Sequence, residues 1–144
     1  MVVIAGRLDH VAIAADNTDA MVKWYEETLG LVVHAVAGPN PPQTQKVYLI
    51  GPPVPRGSAT TNGIPHGMMI EVMPKNDTPR HDRNSHESGL SHVAWYVENF
   101  DAALAHLKSK NVKFLSDILQ AIGGGRIISF ADNEGNMTQI VERK

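Results

Sequence analysis

A chain of 144 residues with 13 basic and 15 acidic side chains, a formal charge of −2 and no cysteine is long enough for a core of its own, and it offers no disulfide, thiolate ligand or cysteine nucleophile. The near-neutral balance excludes the clustered basic charge of nucleic-acid modules, so a small molecule is the expected partner. No apolar run approaches the roughly 18 residues of a membrane span, and the opening Met1-Val2-Val3-Ile4-Ala5 lacks the charged start and length of a signal peptide; the expectation is no membrane partner and a cytoplasmic location.

In chain order, the first strand is expected over residues 7–14. Asn17 or Thr18 can then cap a helix in which Met21, Trp24, Tyr25 and Leu29 fall at helical spacing, and Gly30 stops it. Strands follow near 31–37, 46–51 and 67–73. Between them, Gly38-Pro39-Asn40-Pro41-Pro42 and Gly51-Pro52-Pro53-Val54-Pro55-Arg56-Gly57 are too rich in proline for regular ladders. Residues 75–88 are polar and predict a solvated linker. A second strand–helix–strand series follows: strand 90–97, helix 100–110 with Leu104 and Leu107 inward, and strands near 112–115, 125–131 and 137–142.

The second series echoes the first. Leu8-Asp9-His10-Val11-Ala12 returns as Leu90-Ser91-His92-Val93-Ala94 at an offset of 82 residues, and Asn17, Asp19 and Ala20 return as Asn99, Asp101 and Ala102. Gly67-Met68-Met69-Ile70-Glu71-Val72 aligns with Gly135-Asn136-Met137-Thr138-Gln139-Ile140 at an offset of only 68, which places an insertion of about fourteen residues in the first half. The chain therefore reads as a single α+β domain over 1–144, with a first module near 5–74, a linker near 75–88 and a second module near 89–144.

Strand alternation puts Leu8, His10, Ala12 and Ala14 on one face, and His92 sits identically with Leu90, Ala94 and Tyr96. Glu71 and Gln139 are two further polar groups among apolar neighbours. An ionised Glu71 on a largely apolar face needs a positive partner, and no Lys or Arg occupies the related positions of the other three strands. A divalent cation would pair it. Two imidazoles, a carboxylate and an amide oxygen suit Zn, Ni, Co, Fe or Mn rather than Ca or Mg, with positions left for water or substrate.

Leu8-Asp9-His10-Val11-Ala12-Ile13, Trp24-Tyr25 to Leu29-Gly30-Leu31, Met69-Ile70-Glu71-Val72, Gly89-Leu90-Ser91-His92-Val93 and Asp132-Asn133-Glu134-Gly135-Asn136 together resemble the vicinal oxygen chelate superfamily. That superfamily includes glyoxalase I, methylmalonyl-CoA epimerase, extradiol dioxygenases, and fosfomycin and bleomycin resistance proteins. The resemblance implies two βαβββ modules forming a cupped mixed sheet around one divalent metal per site, held by His10, Glu71, His92 and Gln139. It also implies a homodimer in which a site is built within one chain or across two.

Two departures stand out. Glyoxalase I and extradiol dioxygenases usually carry glutamate where this chain has Gln139, so Glu71 inherits the role of proton-transfer base. Glyoxalase I commonly carries an arginine four residues after its first ligand, and here that residue is Ala14, which leaves glutathione without its usual contact. Arg126, following Gly123-Gly124-Gly125, is a candidate to bind an anionic substrate group. The leading expectation is a glyoxalase-like lyase or isomerase that moves a proton on a small oxo or vicinal-oxygen compound. The alternatives are an extradiol-type Fe(II) dioxygenase on His10, His92 and Glu71, and a metal-free, ligand-binding resistance protein.

Overall fold

The computed structural model describes residues 6–144, so the expected module start at residue 5 lies outside the described residues. The chain divides into two compact units, one reaching to Thr78 and the other beginning at Pro79.

The first unit opens with β1 (His10–Ala15) and α1 (Thr18–Leu29). Asn17 stays extended and its side chain accepts the Ala20 amide at 2.9 Å, the hydrogen bond expected of an N-cap. Gly30, with φ at 70°, ends the helix in the left-handed conformation that glycine adopts most readily. Then come β2 (Val32–Ala37), β3 (Val47–Gly51), the two-residue strands β4 (Thr60–Thr61) and β5 (Ile64–Pro65), and β6 (Met69–Pro74). The main sheet has the order β1-β6-β3-β2, and its β1–β6 pair is parallel. β4 and β5 form a separate hairpin inside the proline-rich insertion. α1 packs on β3 and β6; Met21 and Tyr25 from the helix, with Ile50, Ile70 and Val72 from the sheet, are at most 1% exposed.

The second unit repeats the plan with β7 (Val93–Tyr96), α2 (Phe100–Ser109), β8 (Leu119–Gln120), β9 (Arg126–Ala131) and β10 (Met137–Val141). Its sheet order, β7-β10-β9-β8, again sets the first strand parallel to the last. Asn99 caps α2 as Asn17 caps α1, accepting from Ala102 at 2.9 Å. Phe100, Leu107, Phe130 and Ile140 fill the core between helix and sheet.

One expectation is corrected. The strand near 112–115 reduces to a single bridge between Phe114 and Phe130, and β8 takes the edge instead. The ladder breaks where the Ser129 amide donates to the Ser116 hydroxyl at 3.0 Å rather than to a strand carbonyl. The polar connection is exposed along nearly all of its length and is folded around two side chains. Arg83 donates to the carbonyls of Leu90, Ser88 and Glu87 at 3.0, 3.2 and 3.4 Å, while Glu87 meets His81 at 3.1 Å and accepts the Asn84 amide at 3.1 Å. The His81 hydrogen bond holds the Glu87 carboxyl below its ordinary range.

Candidate metal centre

Parallel pairing of β1 with β6 aligns Ala12 with Glu71 and His10 with Met69. Register partners share a face, so Glu71 emerges on the face of His10, Ala12 and Ala14. His10 Nε2 lies 3.6 Å from Glu71 Oε2, with the two side chains 38% and 31% exposed. Metal–nitrogen and metal–oxygen bonds of about 2.0–2.2 Å set neighbouring ligand atoms about 3.0–3.5 Å apart, from octahedral to tetrahedral geometry, so the spacing of this pair is close to what a shared cation needs. Nδ1 of His10 is engaged by the Asp9 carboxylate at 2.8 Å. A carboxylate can only accept, so Nδ1 carries a proton, and in the neutral imidazole Nε2 is then the bare donor atom.

The second unit holds a pair in the same register. β7 and β10 align Ala94 with Gln139, so His92 precedes the partner of Gln139 by two residues, as His10 precedes the partner of Glu71. His92 Nδ1 lies 2.9 Å from the Ser91 hydroxyl, again leaving Nε2 free of that contact. Gln139 is 8% exposed. Its amide nitrogen donates to the Ser129 hydroxyl at 2.8 Å, and its Oε1 is buried with no hydrogen-bond partner. A buried acceptor without a donor is a costly arrangement in a finished core and a fitting one for a ligand atom.

The candidate ligands therefore come as two pairs, one per unit; among the described residues no three His, Asp or Glu side chains converge. The paired face carries exposed apolar groups in each unit: Met73 in the first, and Leu90 and Tyr96 in the second.

Arg126 does not belong to this face. It lies three residues before Ser129 in β9, so it projects to the opposite side of the sheet from Gln139. There Nε donates to Glu142 at 2.6 Å, Nη1 donates to Asp101 at 2.8 Å, and the guanidinium sits 4.6 Å above the Phe100 ring. These bonds hold both carboxyls below their ordinary range and raise the guanidinium further above its own. Its donors are committed to the protein. Glu142 faces away from Gln139 for the same reason of parity.

Asp9, Ser91 and Ser129 are contributors that sequence reasoning passed over. Asp9 and Ser91 immediately precede the histidines, where strand alternation directs them away. Ser129 becomes visible only once the β9–β10 register is known.

A family model described as the Glyoxalase/Bleomycin resistance protein/Dioxygenase superfamily matches residues 7–140. The chain belongs to this superfamily. A relative from Escherichia coli (strain K12), uncharacterized protein YaeR, is 26% identical over 137 residues, covering 95% of this chain and 96% of its own. Among solved structures, a glyoxalase family protein from Enterococcus faecalis superposes with a TM-score of 0.73 at 20% identity, covering 97% of this chain and 100% of that one. One from Bacillus cereus gives a TM-score of 0.67 at 18% identity, covering 96% and 94%. The two βαβββ units are the modules that the sequence motifs implied.

Proposed function

We propose that this superfamily member is a metal-dependent, glyoxalase-like lyase or isomerase acting on a small oxo or vicinal-oxygen compound. His10, Glu71, His92 and Gln139 are the residues that would hold one divalent ion of the Zn, Ni, Co, Fe or Mn class, which when bound supplies Lewis acidity to neighbouring substrate oxygens. The observation that carries the reading is the shared register of the two pairs, with a single carboxylate among the four groups.

Glu71 is the group able to move a proton. Its carboxylate is part-exposed beside an imidazole, whereas the Gln139 amide cannot accept a proton as a base. Glu71 takes a proton from a hydroxyl-bearing carbon beside a carbonyl and returns it to the carbonyl carbon while the hydroxyl proton passes to the other oxygen, so carbonyl and hydroxyl exchange places and the step is neutral in electrons and protons. A base on one side of the substrate suits such a shuttle better than an epimerisation, which calls for a base on each face. Arg126 has no part in it.

The test is deuterium exchange. Metal-loaded protein is incubated in D2O with small 2-oxoaldehydes and 2-hydroxyketones, with and without an added thiol, and solvent deuterium is expected at the carbon next to the carbonyl. Glu71→Gln at saturating metal should slow exchange by roughly 10²–10⁴-fold; exchange at the wild-type rate in that variant overturns the role of Glu71. Oxygen uptake with a catechol after Fe(II) loading would instead assign a dioxygenase on His10, His92 and Glu71. Ligand binding by protein that takes up no metal would assign a binding protein. A homodimer is part of the proposal, and sedimentation giving a monomer removes it.

A further inference from the structure

We infer that Ser129 is a positioning residue that fixes the Gln139 amide with its oxygen presented as a ligand atom; the inference rests on the metal-binding reading above. The two residues are direct register partners across β9 and β10 and therefore share a face. Both are buried, at 6% and 8% exposure, and the Gln139 nitrogen donates to Ser129 Oγ at 2.8 Å. Oε1 is left buried without a partner. The opposite amide orientation would aim an N–H at the position where a cation needs an electron pair.

The first unit shows why a hydroxyl is needed here and not there. The residue directly across from Glu71 is Leu49, which offers no polar group. A carboxylate presents an acceptor oxygen whichever way it turns, so Glu71 needs no orienting partner. An amide has one oxygen and one nitrogen, and one of its two orientations is useless as a ligand. The unit with the amide has the hydroxyl. Ser129 is itself held, its amide donating to Ser116 Oγ at 3.0 Å and its carbonyl accepting from Leu115 at 2.9 Å. The backbone that carries the hydroxyl is therefore held through both its amide and its carbonyl.

The experiment uses the full chain with Co(II) alone, followed by its visible absorption. Wild-type protein should bind Co(II), and Ser129→Ala should weaken binding by roughly 10- to 100-fold, the usual effect of losing a partner that orients a ligand, with a changed ligand-field spectrum. Ser129→Thr, which keeps the hydroxyl, should retain the wild-type affinity and spectrum. In a Gln139→Glu background, where either oxygen serves, removing the Ser129 hydroxyl should have little effect. Unchanged affinity in Ser129→Ala, or an equal loss in the Gln139→Glu background, overturns the inference while leaving the metal site standing. If Ser129→Ala does not fold, affinity lost in Ser129→Thr overturns it. No Co(II) uptake by wild-type protein overturns the metal reading itself, and the inference with it.

Discussion

The Asp9 carboxylate accepts from Nδ1 of His10 at 2.8 Å, which leaves Nε2 as the nitrogen facing Glu71 at 3.6 Å. In the second unit the corresponding contact joins Ser91 to His92 at 2.9 Å. The two are not equivalent. A carboxylate accepts only, so it fixes the imidazole tautomer, whereas a hydroxyl can donate or accept and fixes the ring position alone.

Asp9→Ala is therefore expected to weaken metal binding by about tenfold or more, because the ring loses both its tautomer preference and its anchor. Ser91→Ala should cost less. Titration of Co(II) or Zn(II) against a chelator of known affinity measures both, and a larger effect at Ser91 than at Asp9 would reverse the assignment.

A second relationship sits at the start of α1, where the Tyr48 hydroxyl donates to Asp19 at 2.5 Å. That hydrogen bond, with a smaller contribution from burial, pushes the phenol up from an ordinary 10.0 to about 12. Because the folded value is the higher one, the neutral hydroxyl's contribution is fully present below pH 10 and is lost as the pH rises toward 12. Ultraviolet titration should show the Tyr48 phenolate appearing late, and Asp19→Asn should bring its ionisation back toward 10.0. Tyr48→Phe should lower stability by about 0.5–1.5 kcal/mol at neutral pH, the value of one hydrogen bond.

These relationships show which parts of the molecule are legible in the sequence. The helix caps are local: Asn17 and Asn99 each need only the amide three residues on, so a repeated Asn-x-Asp-Ala pattern marks both. The placement of Glu71 beside His10 is nearly local, because it follows from alternation plus one parallel pairing. The placement of Arg126 is not. Its face depends on where β9 begins to count against β10, and a run of three glycines erases the alternation that would tell. The segment at 112–115 reads as a strand by composition, yet the Ser116 hydroxyl takes the Ser129 amide and ends the ladder. There a side chain replaces a backbone partner across the sheet, and a linear pattern carries no record of that.

The glycine run itself provides a comparison in which φ is held constant. Gly57 and Gly125 both have φ near 87°, but a Cβ on Gly57 meets open space whereas one on Gly125 would collide with the Glu142 carbonyl oxygen. Gly57→Ala should cost only the left-handed strain of about 1–2 kcal/mol. Gly125→Ala must also push the chain away from the end of β10, and urea unfolding should show it to be the more destabilising by on the order of 1 kcal/mol or more. Equal losses would mean that the close approach is absorbed without cost.

The last prediction concerns acid. Arg126 donates to Glu142 and to Asp101, and its hydrogen bonds hold both carboxyls below their ordinary values of 4.5 and 3.8. A carboxyl whose folded value is depressed adds stability that is present above its unfolded value and disappears as the pH falls through the folded one. The Arg126 contribution should thus be constant through neutral pH and fade as the pH drops below about 4.5. Arg126→Met keeps the stem over Phe100 and removes the charge, leaving Glu142, whose side chain is 5% exposed, without its closest partner. Melting temperatures of wild type and Arg126→Met should differ most at pH 6–8 and converge in acid, while Asp101→Asn, at a side chain 76% exposed, should produce a smaller gap of the same pH dependence. Metal affinity of Arg126→Met should stay at the wild-type level, since the guanidinium lies on the far side of the sheet from Gln139. A loss of metal binding with stability intact would return Arg126 to the site.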